Sequence, residues 1–451
     1  MKSVSFRDCL SIAWPLILTM AGSALMMFAD RIFLSRYSAV SIQAALPAGL
    51  MSFMVLAFLQ NIVHYSGTFV AQYAGSGARA ACARATAQGL WLSVLCIPLI
   101  LLSLPLGYWL FDFAGHAPDV IAAERSYYLT LTIGSLFIPF SSALSGFFTG
   151  RGYTRLVMVA NLIGNAANIL LDPIFIWGWG FIPELGIVGA GIATAFGQFL
   201  ILAILTIAII REKHFSTVYR RRVAFAIKLP LMLRIVRFGV PSGSHVLLDV
   251  STFTIFVFLT GRLDELSFAV SNIALSINHL IFAPLMGIAI AATVLVGQCI
   301  GACDPRSATQ AGGKCVVIGL FYILLVVAFI GTFYEHLLHF FYAENSPFDY
   351  ASYLDVGKQL IFIFLIWAAG DAFNIILGGA LKGAGDTRFV MIVIAIISVV
   401  LWLPALFILY ACGYGIIALW WTMPGYVFLA AGTFAWRFYS GGWEKHNVIG
   451  D

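Results

Sequence analysis

The strongest constraint in this sequence is a series of apolar runs, each about twenty residues long or longer, that recurs from one end to the other. A helix rises about 1.5 Å per residue and the hydrocarbon of a bilayer is about 30 Å thick, so runs of this length match membrane crossings. They are continuous rather than alternating. That pattern fits helices and not barrel strands, because a lipid-exposed backbone has to satisfy its own hydrogen bonds. Six runs lie near residues 9–34, 43–72, 86–110, 126–148, 154–177 and 187–210. Six more lie near 233–259, 267–299, 314–341, 357–380, 388–410 and 414–438. Only 10% of the residues are charged and 61% are hydrophobic, against about a quarter charged in soluble domains, so a water-facing surface cannot be built from this chain.

A polar stretch separates the two sets. It holds Arg211, Lys213, Arg220, Arg221, Arg222 and Lys228 against the single acid Glu212. The expected organisation is an N-lobe over 1–210, a cytoplasmic linker over 211–228, a C-lobe over 229–440 and a cytoplasmic tail over 441–451. The even-numbered loops carry Arg79 and Arg84, Arg151 and Arg155, the linker cluster, Arg306 and Lys314, and Lys382 with Arg388. By the positive-inside rule those loops face the cytoplasm, and so do both termini. The odd loops are acidic or neutral: Asp112, Asp119 and Glu124, then Glu184, then Glu335, Glu344, Asp349 and Asp355. The net charge of +5 therefore reads as orientation and not as nucleic-acid binding. Seven cysteines, an odd number, lie in or beside apolar helices and imply no disulfide framework. Cys299 and Cys303 have the spacing to share a helix face, where they read as packing residues rather than a zinc site. The first run holds Asp30 and Arg31 near its end and lacks a small-residue cleavage site, so it reads as a span and not a signal peptide.

The halves resemble each other. Thr149 to Met158 (Thr-Gly-Arg-Gly-Tyr-Thr-Arg-Leu-Val-Met) aligns with Lys382 to Met391 (Lys-Gly-Ala-Gly-Asp-Thr-Arg-Phe-Val-Met). Val70, Gln72 and Gly75 match Val296, Gln298 and Gly301, and Pro15 falls where Pro241 falls. Three matches in order argue for duplication. The expected fold class is an all-α polytopic membrane protein, with twelve transmembrane helices in two pseudo-symmetric six-helix lobes. Each repeat has an even number of spans, so the lobes are related by an axis along the membrane normal, and a substrate would sit in a cleft between them.

A carboxylate deep in a bilayer helix costs on the order of 3 kcal/mol and persists mainly where it faces a cavity or a partner. Asp30, Asp172, Asp249 and Asp371 survive that filter, two in each lobe. Asp172 has the best local support, since Asn168 lies one turn earlier on the same face and Asn165 and Asn161 extend the polar stripe. That arrangement reads as an ion or proton site. His64, His245 and His279 also fall within spans, where an imidazole can relay protons, and His245 stands one turn before Asp249. Pro15, Pro241, Pro284 and Pro404 interrupt apolar helices; Pro15 and Pro241 are candidate gating bends.

With the twelve spans, Ala29-Asp30, the Thr-Gly-Arg-Gly loop, Asn168 to Asp172, the segment Gly189 to Thr194 and the Lys-Gly-Ala-Gly-Asp-Thr loop, the chain resembles the multidrug and toxic compound extrusion (MATE) family of the MOP flippase superfamily over its full length. The resemblance implies a cation or proton site in the N-lobe at Asp30, Asn168, Asp172 and Thr194, with Na+ as one occupant. A tyrosine often found one turn before the first acid is Met26 here. In the C-lobe the resemblance implies coupling at Asp249, eight residues after Pro241 and shorter than the usual Glu, and at Asp371. Which lobe couples stays open, as does H+ against Na+. The implied activity is export of cationic or amphipathic small molecules by antiport across the bacterial inner membrane, without a cofactor, by a chain that is not an enzyme. The expected partners are those substrates and lipid, not nucleic acid, and a monomer is expected.

The exclusion behind antiport is simple: a carboxylate that holds a cationic substrate when ionised releases it when a proton or sodium ion arrives. Aromatic residues, 15% of the chain, offer ring faces to flat cations. Three rivals are weaker. A flippase for lipid-linked saccharides would want basic residues in its cavity to hold a pyrophosphate. An intramembrane enzyme would need a cluster such as His-Glu-x-x-His, and none is present. A channel would need a repeated filter segment.

Overall fold

The computed structural model describes residues 4–212, 226–342, 348–444 and 448–449, and of His279 and Leu280 it describes only the backbone. Lys213, Arg220, Arg221, Arg222, Glu344 and the side chain of His279, all weighed above, lie outside the described residues. Apart from one bridge between Trp179 and Ile182, regular structure among the described residues is helical. Among the described residues twelve helices are long and apolar enough to cross a membrane, which makes this a multi-pass membrane protein. They are α1 (Phe6–Tyr37), α2 (Ala39–Gly75), α3 (Arg79–Ala114), α4 (Pro118–Gly150), α5 (Thr154–Trp177), α6 (Gly186–Arg211), α7 (Leu229–Thr260), α8 (Glu265–Gly301), α9 (Pro305–Phe341), α10 (Tyr350–Ala384), α11 (Thr387–Ala411) and α12 (Ile416–Tyr439).

Most of these helices outrun their apolar cores, and their caps say why. At α9 the Asp304 carboxylate accepts the Ser307 amide at 3.0 Å, with Pro305 in the first turn. This satisfies an orphan N–H with a proline already set at a helical φ, so the helix starts well before the apolar run. Asp349 caps α10 in the same way, accepting from Ser352 N at 3.1 Å. Because α4 starts at Pro118, Asp119 and Glu124 belong to a helix and not to a loop. Glu124 is fully buried and meets His116 Nδ1 at 2.8 Å.

Three helices are interrupted inside. α2 breaks at Tyr65, immediately after His64, and α4 breaks between Ser135 and Ile138. In α11 a wider π-helical stretch, Ile396–Trp402, leads into Pro404, which sits in the first turn of the α-helical segment that follows. A π turn re-routes backbone bonds where a proline N–H is missing. Pro15, Pro241 and Pro284 stand inside continuous helices. Cys303 lies beyond the end of α8 with a positive φ of 56° and is exposed, while Cys299 is buried. The two do not share a helix face, because the helix has already ended.

The chain forms two compact units. One comprises Leu18–Gly243, Gly297–Cys303 and Val448–Asp451. Its core is made by Phe69, Phe147, Phe148, Leu205 and Ile235, and a second cluster gathers Leu34, Phe111, Tyr128 and Ile176. Within it the repeated Gln-x-x-Gly segments meet reciprocally. A Cβ on Gly75 would stand 1.9 Å from the Gln298 carbonyl oxygen, and one on Gly301 would stand 1.8 Å from that of Gln72. Only glycine permits so close a backbone approach. The other unit comprises Met1–Ile17, Ser244–Val296 and Asp304–Asn447, with Phe256, Phe364, Trp420, Phe434 and Phe438 fully buried. The duplicated loops also agree in backbone: Gly152 and Gly385, at equivalent places, have φ of 84° and 103°.

Candidate functional site

In the unit that contains α5 and α6, the predicted N-lobe residues come together. Asp172 and Asn168 lie on one face of α5 and are both fully buried. Asn168 Nδ2 donates to Thr194 Oγ1 on α6 at 3.2 Å, and Thr194 in turn donates to its own helix at Ala190 O, 3.0 Å away. Asp30, half-buried on α1, places its carboxyl within hydrogen-bond reach of the Asp172 carboxyl. Neither carboxylate brings a donor. One buried oxygen of Asp30, both oxygens of Asp172 and Oδ1 of Asn168 are left without a hydrogen-bond partner. Two carboxyls this close hold a shared proton or a cation far more readily than two bare negative charges.

The rest of the asparagine stripe divides by task. Asn165 Nδ2 reaches Ser23 Oγ on α1 at 3.3 Å and ties the two helices together. Asn161 donates to Val157 O of its own helix at 2.8 Å and takes no part in the site. One residue was missed in the sequence: Tyr127 of α4 is buried and lies within electrostatic range of both Asp30 and Asp172. Its signal was weak, a tyrosine pair in a partly polar helix, yet it brings a phenol near the acids where Met26 offers none.

The C-lobe candidates also gather, in the other unit. Asp249 Oδ1 accepts the Tyr426 hydroxyl of α12 at 2.8 Å. Its Oδ2 lies 3.5 Å from His245 Nε2, one turn away on α7. Asp371 on α10 is buried, flanked by Asn374 and Trp367, and feels the Asp249 charge. Lys382, also on α10, is a neighbouring positive charge for both His245 and Asp249. Tyr426 and Lys382 were not among the predicted site residues. No group of three or more metal-ligating side chains is found among the described residues. Pro15 and Pro241 contribute no side chain to either cluster; they lie in α1 and α7, the helices that carry Asp30 and Asp249.

Known proteins agree with this architecture. The MatE family model matches residues 15–174 and 241–408, most of the chain. A probable multidrug resistance protein NorM of Bradyrhizobium diazoefficiens is 29% identical over 96% of this chain and 93% of its own length. The multidrug resistance protein NorM of Photobacterium profundum is 26% identical over 89% and 87%. Two solved structures share the fold. One is a multidrug resistance MATE family transporter in an outward-facing conformation, with a TM-score of 0.85, 22% identity and 99% of each chain covered. The other is the eukaryotic MATE transporter AtDTX14, with a TM-score of 0.85, 19% identity, and 97% of this chain and 96% of that one covered. The chain therefore belongs to the MatE family, as a multi-pass membrane transporter.

Proposed function

We propose that this chain exports cationic or amphipathic small molecules across the bacterial inner membrane in exchange for H+ or Na+, working with no cofactor and with both termini in the cytoplasm. The observation that carries the reading is the Asp30 and Asp172 pair, two carboxyls in mutual reach with unpartnered buried oxygens beside the Asn168 and Thr194 bond. A structural acid in an apolar helix is satisfied by its neighbours. Acids left unsatisfied are instead waiting for a cation or a proton. The names of the NorM relatives support multidrug efflux, and the acidic character of both clusters supports positively charged cargo. In this reading residues 1–210 and 229–440 are lobes that alternate access, with 211–228 as a cytoplasmic linker and 441–451 as a tail. Pro15 and Pro241 bend the two helices that carry the first acid of each lobe.

The test is efflux of a cationic dye in everted vesicles under an imposed pH or sodium gradient. Wild type is expected to respond to a gradient, and the Asp30→Asn/Asp172→Asn double variant to lose at least nine-tenths of the response at equal protein level. Full gradient-driven efflux in the double variant would refute coupling through this pair. Efflux that needs ATP and no ion gradient would refute antiport itself.

A further inference from the structure

The turn between α5 and α6 is a built hairpin. Trp179 N–H donates to Ile182 O at 3.2 Å and Ile182 N–H to Trp179 O at 3.0 Å, which leaves Gly180 and Phe181 as a two-residue loop. Gly180 has a φ of 65° at the first central position, where one of the favoured hairpin turns calls for glycine. Leu185 N–H closes the base on Phe175 O at 3.1 Å. The hairpin is also fastened to α1, within the same compact unit. The Tyr37 hydroxyl donates to Glu184 Oε1 at 2.8 Å, and the Trp177 ring meets the edges of Phe33 and Tyr37 with centroids 6.1 and 6.4 Å apart.

What this frame displays is apolar. Phe181, 98% exposed, is the most exposed large apolar side chain among the described residues, and Trp179 beside it is 71% exposed. From Pro173 to Pro183 the chain carries no charge, and the next residue, Glu184, is the one that Tyr37 holds. A surface that recognises another protein has a polar rim around its apolar centre, and this tip has none. Lipid fits better, because the tip continues a lipid-facing surface. Val159, Ile163, Ala166 and Leu170 form an exposed apolar stripe on the far side of α5 from Asn168 and Asp172. The stripe leads to Trp177, at the end of the span, and on into the hairpin. That is the level at which an indole, with an apolar ring and one N–H, is favoured in a bilayer.

We propose that Trp179 and Phe181 are an interfacial anchor, inserted by the rigid hairpin into the headgroup–acyl boundary of the leaflet on its side. In the orientation proposed above this is the outer leaflet. The partner is the lipid itself: acyl chains receive the rings, ester carbonyls can accept an indole N–H, and no headgroup charge is needed. Because Phe33 stands one turn beyond Asp30, and Trp177 ends the helix that carries Asp172, the anchor sets the depth of the two helices that bear the N-lobe acids.

The experiment places an NBD fluorophore at Phe181→Cys in a Cys303→Ser/Cys412→Ser background, where the remaining cysteines are buried. The full-length chain is held singly in phosphatidylcholine nanodiscs, so that both faces meet the buffer. Quenching is read with iodide in the water and with nitroxide lipids labelled either near the headgroup or at the acyl end. The shallow nitroxide is expected to quench about twofold or more better than the deep one, and iodide about threefold less than it quenches the dye on free cysteine, as an interfacial site requires. Iodide quenching equal to that of the free dye, without lipid quenching, would overturn the proposal and leave the tip to a second copy or another protein. Stronger quenching by the deep nitroxide would overturn it as well, by placing the tip in hydrocarbon. Trp179→Cys serves in the same assay where Phe181→Cys does not fold. The readout needs no transport, so it stands or falls separately from the efflux reading.

Discussion

A carboxylate in hydrocarbon is costly enough, on the order of 3 kcal/mol, to be visible in a bare sequence. That is why Asp30, Asp172, Asp249 and Asp371 were legible, and why the Asn168 and Asp172 face of α5 pointed to a site before any coordinates. Tyr127 was not legible for the opposite reason. A phenol sits comfortably in an apolar helix, and only the fold reveals that its neighbours are two acids. Its role is separable from packing: Tyr127→Phe keeps the ring and removes the hydroxyl, so a several-fold loss of gradient-driven dye efflux at unchanged expression is expected. Asn161→Leu is the matched control, because the Asn161 amide bonds only its own helix, and its efflux is expected within about twofold of wild type. Equal efflux in both variants would leave Tyr127 a packing residue.

At the scale of elements, the duplication read from Val70-Ala-Gln72 and Val296-Gly-Gln298 acquires a physical cause. Gly75 and Gly301 each lie on the other segment's glutamine backbone, at separations no side chain permits. Gly301→Ala must push the backbones apart, and overpacking against rigid backbone falls at the high end of the range, about 3 kcal/mol or more. Gly331→Ala in α9 meets nothing within 4 Å and is expected to be neutral or slightly stabilising, as alanine favours helix. Thermal unfolding in detergent checks both, with a clear fall in Tm for the first and none for the second. Equal midpoints would mean that the crossing relaxes without strain. Helix ends were less legible than helix cores, since caps such as Asp304 and Asp349 lie outside the apolar runs. The π-helical stretch over Ile396–Trp402 left no mark in hydropathy, because the side chains there are nearly as apolar as those around them. The Tyr426 and Asp249 bond joins residues 177 apart in sequence, beyond the reach of any local pattern.

For the whole molecule, the open physical statement is which way it sits in the membrane. The argument from charge is that Arg79, Arg84, Arg151, Arg155, Arg306 and Lys314 cluster in or beside alternate loops, which the positive-inside rule places in the cytoplasm. The chain carries its own reporters. Of its seven cysteines, Cys9, Cys82, Cys96, Cys299 and Cys315 are buried, while Cys303 and Cys412 are exposed. Cys303 lies between α8 and α9, an even loop with Arg306 beside it, and Cys412 lies in the short turn between α11 and α12, an odd loop. An even number of spans would put both on one side; three spans separate them, so they fall on opposite faces. A membrane-impermeant maleimide is therefore expected to label Cys412 in spheroplasts and Cys303 in everted vesicles. Cys303→Ser and Cys412→Ser, each removing one signal, identify which thiol reacts. Because a thiolate reacts and a buried thiol does not, the other five cysteines contribute little background. The reverse pattern would invert the topology and place both termini outside.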